Sequence, residues 1–487
     1  MLKVRFAPSP TGPLHIGGAR SALFNYLLAR KENGVFIVRS EDTDLERSSR
    51  ESEQNILAAL RWLNIQWDEG LEVGGENGPY RQTERLALYQ EYTNKLLAEG
   101  HAYYCYCTEE ELEQERQELI AKGETPRYLG KCRNLTEEQR KKYEAEGRKP
   151  VVRFRVPEGQ QIVINDRVRG EVIFDSDGIG DYVIVKSDGI PTYNFAVVID
   201  DMTMKVTHVI RGEEHLSNTP SQILIYQALG ATAPEFAHIS LILNTEGRKM
   251  SKRDGDTAVI DYKAKGYLPE AVVNFIALMG WSPAGEQEFY TLAEMAQEFS
   301  LDRVSKSPAV FDLNKLNYMN AHYIKQAEPE RLTDLAIPYL QEVGAIPQGE
   351  LSEKDRAWVT HYVQAIINHL SYMAQVKDFV HYVRGGAVPA PEGEALEILK
   401  GEQVPAVLDL FVTKLKALDE LTVETVKPLF KQITKELKLG GKQVFMPIRI
   451  ALTGQMHGPE LYDLVPLLGL ENVLSRLEGT KKLLGIS

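Results

Sequence analysis

Cysteine is scarce in this chain: three residues in 487, all between positions 105 and 132. So few thiols build no disulfide framework, which excludes the small stapled scaffolds and fits a reducing compartment. Long apolar runs are missing as well. No stretch approaches the roughly 20 apolar residues that span a bilayer, and Leu2 to Phe6 is interrupted by Lys3 and Arg5, unlike a secretory signal. A cytoplasmic location with no membrane partner is expected. Positive charge is not in surplus. A formal net charge of -13 excludes a protein that coats nucleic acid over its whole surface, and leaves room only for local basic tracks. The candidates are Arg148, Lys149, Arg153 and Arg155, and farther on Lys435, Lys438, Lys442 and Arg449. There is no internal repeat and no low-complexity segment.

What is present is too long for one core, and roughly two to four domains are expected. The first hundred residues alternate strand and helix: Leu2 to Phe6, a helix to Lys31, Val35 to Arg39, a helix around Glu53 to Leu63, and a helix from Tyr80 towards His101. That rhythm belongs to a parallel sheet with crossover helices. It then stops. A Glu-rich helix, Glu109 to Lys122, precedes short strands at Val151–Val156, Gln161–Asn165, Glu171–Phe174 and Tyr182–Lys186, which together read as an inserted α+β module. The alternation resumes over Asn194–Asp200, Val206–Ile210, a helix across Ser221–Leu229, and Ala237–Leu243. Helical patterns follow at Pro269–Met279, Ala357–Val380, Val404–Ala417 and Val423–Leu437, with Val388 to Gly393 as the best linker.

Two short signatures carry the chemistry. The first, Pro8-Ser9-Pro10-Thr11-Gly12-Pro13-Leu14-His15-Ile16-Gly17-Gly18, joins the first strand to the first helix. A helix start offers unpaired N–H groups and the positive end of a dipole, so it seats a phosphate, and Gly17 and Gly18 allow close approach. His15 is placed to donate a hydrogen bond to that phosphate. The second, Lys249-Met250-Ser251-Lys252-Arg253, puts cations in a loop flanked by Gly247 and Gly255. Alone, either reads as an ordinary helix cap or a solvated basic turn.

In this order, they resemble the two signature motifs of the class I aminoacyl-tRNA synthetases. With Arg5 upstream and Glu41-Asp42-Thr43-Asp44 downstream, the chain resembles the bacterial glutamyl-tRNA synthetase family over its whole length. Two positions depart from the family motifs: Gly18 stands in place of a second histidine, and Arg253 in place of a serine. The resemblance implies an α/β Rossmann-type catalytic domain with an inserted α+β acceptor-binding module, then an all-α anticodon-binding region. The implied segments are 1–100 and 191–245 for the two catalytic halves, 101–190 for the inserted module, 246–325 for the basic loop with a stem-contact domain, and 326–487 for the helical region, split near 385–395. It implies ligation of L-glutamate to tRNA(Glu), with ATP and Mg²⁺, by a monomer, and leaves open whether tRNA(Gln) is also charged. Both steps build negative charge on phosphate oxygens, so such a site needs placed cations and N–H donors more than a nucleophilic side chain.

The site residues the resemblance implies are His15, Lys249 and Lys252 as catalytic groups. Gly17, Gly18, Glu214 and Ser251 join them around ATP. Arg5, Ala7, Ser9, Glu41, Tyr193 and Arg211 form the glutamate pocket, where arginine forks suit carboxylates and Glu41 suits the ammonium. Members of this family need tRNA for the first step, so exchange of pyrophosphate into ATP is expected only with tRNA present.

Cys105, Cys107 and Cys132 lie within 28 positions, a spacing that reads as a Zn²⁺ site. Related bacterial enzymes complete it with a histidine two residues after the last cysteine or a tyrosine four before it. Here those positions hold Asn134 and Tyr128, so the resemblance implies Tyr128 as fourth ligand; the bland alternative is three reduced thiols. Four other readings compete: a glutaminyl-tRNA synthetase, a shortened tRNA-modifying relative, a nucleotidylyltransferase without tRNA, and a non-enzymatic tRNA binder. A helical rather than β-barrel last third weighs against the first. Its presence weighs against the second, the zinc-like module and helical tail against the third, and intact His15, Lys249 and Lys252 against the last.

Overall fold

Strand β1 (Lys3–Phe6) runs parallel to β2 (Val35–Val38), Lys3 opposite Val35 and Phe6 opposite Val38, and the short β3 (Glu69–Gly70) adds to β2 in the same direction. Parallel neighbours require crossovers, and these are α1 (Ile16–Lys31) and α2 (Arg50–Trp62). In this computed structural model residues 1–250, 255–384, 388 and 390–485 are described. They form two units, Met1–Ala264 with Pro269–Leu316, and Lys265–Leu268 with Asn317–Ser487. In the first unit Val4, Phe36, Ile37 and Val38 are fully buried, as the unbroken apolar run of a doubly covered strand requires. Gly70, at φ +131°, passes so close to β2 that a Cβ would sit 2.1 Å from the Val38 carbonyl oxygen; only glycine fits.

The expected helix after Tyr80 is shorter than its pattern: one 3₁₀ turn at Gln82–Glu84, then α3 (Leu86–Ala98). The inserted module opens with β4 (Ala102–Cys105), a strand not anticipated, and continues with α4 (Glu109–Ala121) and α5 (Glu137–Ala145). The signal for α5 is the capping box Thr136-x-x-Gln139, closed in both directions. β5 (Val151–Phe154) pairs antiparallel with β4, and β6 (Gln161–Asp166) forms a hairpin with β7 (Gly170–Asp175). β8 (Tyr182–Val185) completes the sheet beside β5. Along β6 burial alternates, so Ile162, Ile164 and Asp166 share the inward face.

The segment at 194–200 is helical, α6 (Tyr193–Thr203). It leads to β9 (His208–Gly212), α7 (Thr219–Ala228) and β10 (Glu235–Ile239), with β9 and β10 parallel. Thr207 N donates to Lys3 O at 2.9 Å, which sets this second pair beside β1. The run read as Ala237–Leu243 is split, because β10 ends at Ile239. β11 (Ile242–Leu243) then pairs with β12 (Ala309–Val310). Between them lie α8 (Val259–Ala264), α9 (Pro269–Leu278) and α10 (Leu292–Glu298), and α11 (Leu313–Gln326) follows.

The second unit is helical: α12 (Pro329–Glu342), α13 (Glu353–Ile366), α14 (Val380–Val383), α15 (Gly393–Leu399), α16 (Val404–Lys416), α17 (Val423–Leu437), α18 (Gly441–Thr453), α19 (Leu461–Leu468) and α20 (Leu470–Leu484). The single helix expected over Ala357–Val380 is broken after Ile366. Two 3₁₀ segments take its place, and the Gln375 side chain accepts from Ser371 N at 2.6 Å and Tyr372 N at 3.2 Å. The apolar periodicity survives the break because both pieces bury the same side; Tyr362 donates to Val376 O at 2.6 Å across it. Within the linker read at 388–393, Pro389 lies outside the described residues and Gly393 already opens α15. Among the described residues no helix is long and apolar enough to cross a membrane.

Candidate active site

The two signatures are joined through their backbones. Ile16 N donates to Thr257 O and Val259 N to Leu14 O, both at 2.9 Å, so the chain just beyond the basic loop is zipped to the mouth of α1. On the other side of that loop Met250 N donates to Ile242 O at 3.1 Å. Lys249 thereby lines the same cavity of about 990 Å³ as His15, Gly17 and Gly18. Ser251, Lys252 and Arg253 lie outside the described residues.

His15 is both the cap and a free donor. Its backbone is extended, at φ -76° and ψ 151°, and its Nδ1 accepts from Gly17 N at 3.0 Å. Burial, then the charge of Lys249, holds its pKa below that of an ordinary histidine. The ring is therefore neutral with its proton on Nε2, which has no protein acceptor among the described residues. Gly18 has a packing reason as well, since a Cβ there would meet Leu14 Cδ1 at 3.1 Å.

Behind Arg5 and Glu41, which line the cavity, stands a charge network that sequence reading named only in part. Arg5 donates through Nε to both oxygens of Asp201 at 3.2 Å. Arg39, fully buried, donates to Asp201 Oδ1 at 2.8 Å and Glu41 Oε1 at 3.1 Å, and its Nε lies 3.6 Å from Asp200 Oδ2. Arg85 closes on Asp200 Oδ1 at 2.7 Å. Burial raises the pKa of Glu41, against the pull of Arg39 and Arg5. Burial also acts to raise Asp201, but Arg5 and Arg39 outweigh it and its pKa is lowered. Arg39, Asp200 and Asp201 were missed. The available signal was Asp200-Asp201 closing an apolar run, since two acids carried to the buried face of a helix demand cations.

Arg211, on β9, points into the cavity from the opposite side. Its Nη1 donates to Tyr193 Oη at 3.2 Å, its Nη2 to Thr219 Oγ1 at 2.9 Å and Gln222 Oε1 at 2.8 Å, and its Nε to His238 Nε2 at 3.1 Å. Tyr193 is a half-buried phenol whose pKa is raised by desolvation, so it keeps its proton. Ala7, Ser9, Glu41 and Glu214 line the same space. A Cβ at Gly212 would displace the flexible carboxylate end of Glu214. His215, not singled out in the sequence, faces the Tyr193 ring at 5.3 Å, and burial, then Arg211, lowers its pKa to about 4.

In the inserted module the three cysteine sulfurs lie within 4.8 Å of one another. Cys107 Sγ is 3.5 Å from Cys132 Sγ, and Tyr128 Oη is 3.5 Å from Cys105 Sγ and 3.7 Å from Cys107 Sγ. Three soft donors and one oxygen around a common centre suit tetrahedral zinc. Arg153 does not belong to an open basic track: its guanidinium lies 3.9 Å from the Tyr128 ring centroid and donates to Asp181 O at 3.0 Å. Arg148 pairs with Glu111 and Glu146, Arg155 donates to Arg133 O at 2.6 Å, and Arg449 to Pro459 O at 2.7 Å. Arg148, Arg153 and Arg155 thus brace the inserted module and Arg449 the helical unit, each held by carboxylates or carbonyls of its own surroundings.

Comparison with known proteins places this geometry. Residues 1–318 match the family model of class I tRNA synthetases (E and Q), catalytic domain, and residues 331–481 match an anticodon binding domain. The chain is 87% identical over 484 residues to a glutamate–tRNA ligase of Desulfitobacterium hafniense (strain Y51), covering 99% of each. It is 51% identical over 479 residues to that of Bacillus subtilis (strain 168), covering 98% of this chain and 99% of the relative. Among solved structures it resembles a glutamate tRNA ligase from Elizabethkingia meningosepticum crystallised with its amino acid, with TM-score 0.89, 35% identity and 99% of both chains covered.

Proposed function

The chain belongs to the class I tRNA synthetases for glutamate and glutamine, in the glutamate–tRNA ligase branch, and on that premise we propose how its cavity divides the work. The reaction uses ATP, glutamate and tRNA(Glu). The α-carboxylate of glutamate attacks the α-phosphorus of ATP, pyrophosphate leaves, and a terminal ribose hydroxyl of the tRNA then takes the acyl group from the adenylate, releasing AMP.

Arg5 and Arg211 hold the two carboxylates, Glu41 holds the ammonium, and Ala7, Ser9 and Tyr193 shape the space between. Arginine suits both positions: Arg5 is fixed through Nε and turns its Nη edge to the substrate, whereas Arg211 is held at all three nitrogens and offers the second N–H of Nη1. His15 donates Nε2–H to a phosphate oxygen. Gly18 N, left over after Ile16 N, Gly17 N and Ala19 N bond Thr257 O, His15 Nδ1 and His15 O, faces the same group at the positive end of the α1 dipole, and Glu214 lies beside the nucleotide. Lys249, Ser251 and Lys252 neutralise the charge that grows as pyrophosphate departs. Mg²⁺ arrives with ATP as its phosphate counter-ion.

Cys105, Cys107, Tyr128 and Cys132 would hold Zn²⁺, which would cross-link the base of the inserted module. The support is the donor set itself, four groups gathered from the end of β4, the residues just after it and the loop before α5. The inserted module meets the acceptor end of the tRNA and the helical unit meets the anticodon. The enzyme acts as a cytoplasmic monomer with tRNA(Glu) as its acceptor.

One observation carries the division of the cavity: Arg5, Glu41, Tyr193 and Arg211 line the same space as His15 and Lys249. The test is ATP–pyrophosphate exchange with glutamate or glutamine, with and without tRNA(Glu) or tRNA(Gln). Exchange is expected with glutamate and tRNA(Glu) together. Robust glutamate-dependent exchange without tRNA, or activation of glutamine, would contradict the proposal.

A further inference from the structure

Arg211 is held from behind by a residue pair that touches no part of the cavity proper. His238, on β10, is fully buried, and its Nε2 accepts from Arg211 Nε at 3.1 Å. Its Nδ1 lies 2.6 Å from Asp166 Oδ2, and Asp166 is the last residue of β6, in the inserted module. The carboxylate is fully satisfied. Asp166 Oδ1 accepts from Val168 N at 2.9 Å and Arg169 N at 2.7 Å, and both of its oxygens accept from His238 N.

These contacts fix the tautomer. Burial opposes ionisation of Asp166, but the hydrogen bond from His238 and those from the backbone outweigh it and lower its pKa. An ionised carboxylate only accepts, so Nδ1 must carry the proton and Nε2 must be the acceptor. Burial lowers the pKa of His238, so the ring does not take a second proton at neutral pH. A histidine with its proton on the other nitrogen would turn an N–H towards the Arg211 N–H, with Thr219 Oγ1 at 3.1 Å as its acceptor, and the bond from Arg211 Nε would be lost.

We propose that Asp166 and His238 are positioning residues for Arg211, so that the inserted module, through one carboxylate, sets the geometry with which the enzyme reads a carboxylate of glutamate. This rests on the reading above that Arg211 binds glutamate. Because β6 is part of the module assigned to the acceptor end, the pair also ties the placement of that module to the amino-acid pocket.

Amide substitutions separate the bonds. In Asp166→Asn the amide oxygen stays where Val168 and Arg169 donate, which turns the NH₂ towards His238 Nδ1 and forces the wrong tautomer. In His238→Asn the amide keeps a donor for Asp166 but loses the acceptor for Arg211. In His238→Gln the amide oxygen reaches the Nε2 position and the donor to Asp166 is lost. Aminoacylation of tRNA(Glu) by the full chain should show the glutamate KM raised about tenfold or more in Asp166→Asn and His238→Asn, with ATP KM unchanged. His238→Gln should stay within about threefold of the parent KM while losing more thermal stability than His238→Asn, since it leaves a buried carboxylate short of a donor. A purely structural pair would give the reverse: glutamate KM following stability, with His238→Gln the worse of the two. That order, or an unchanged KM in both His238→Asn and Asp166→Asn, would overturn the proposal. Arg211→Lys is the control. If it raises the glutamate KM while the pair's variants do not, the pocket reading stands and the positioning role falls; if it leaves KM unchanged, both fall.

Discussion

Arg5 gives its Nε to Asp201, 3.2 Å from each carboxylate oxygen, and among the described residues no protein acceptor meets its two Nη atoms. One face of the guanidinium is thus anchored while the other is open to the cavity. A lysine has no such second face. Arg5→Lys should therefore raise the glutamate KM by about tenfold or more while leaving ATP KM within about twofold, measured by aminoacylation. Equal loss for both substrates would point to a collapsed cavity instead.

Arg39 is the shared cation of the pocket floor, contacting Glu41 and Asp201 with no exposure of its own. Removing it strands buried carboxylates, and Arg39→Met should cost about 3–5 kcal/mol in urea unfolding of the first transition. A loss below about 1 kcal/mol would mean that water or proton uptake already compensates these acids.

The depressed pKa of His15 has a sign that can be checked. The folded ring stays neutral through the pH at which the unfolded chain's histidine takes a proton, near 6.5. Its contribution to stability is complete above that value and is lost as pH falls through the folded pKa. The Nε2–H donor survives protonation but the cap to Gly17 does not, so the acid limb of kcat/KM for ATP should fall below pH 6.5 and be altered in His15→Asn. A histidine limb at 6.5 or above would count against the neutral assignment.

Protein prepared without chelator should carry about one equivalent of zinc. Cys132→Ser should lose most of it, and Tyr128→Phe should weaken competition against a chromophoric chelator by about tenfold or more. Less than a few tenths of an equivalent in the parent would remove the metal; full affinity in Tyr128→Phe would remove the phenol from its ligands.

Lys252→Ala should lower turnover about 10²–10³-fold with tRNA binding nearly intact, because a charge that acts on departing pyrophosphate is felt mainly in the transition state. A near-normal rate would exclude Lys252 from the chemistry.

Much of this was legible in the chain alone. The helix that starts at Ile16, strands β5 to β8 of the inserted module and the long helices 404–416 and 423–437 follow from local periodicity and caps, which neighbours in sequence create. Boundaries failed where a distant contact intervened. The helix read across 357–380 stops because Gln375 and Met373 make hydrogen bonds that no periodicity encodes, Met373 N donating to Gly266 O at 3.1 Å. The arginines 148, 153 and 155 look like a phosphate track in sequence, and become internal struts once Glu111, Asp181 and Arg133 O are beside them.

The sequence by itself determined the chemistry on offer: a histidine at a helix mouth, a lysine-rich loop, arginines for carboxylates and three thiols kept within one module. Tertiary structure decided which of these groups meet and in what state. Asp201 reaches Arg5 and Arg39 only because folding brings the C-terminal half of α6 to side chains more than 160 positions earlier, and the proton of His238 is set by a carboxylate 72 positions earlier in the chain. The physical reason is common to both. Composition and spacing fix what a side chain can donate or accept, whereas buried charge takes its protonation and direction from partners brought within about 3 Å by folding.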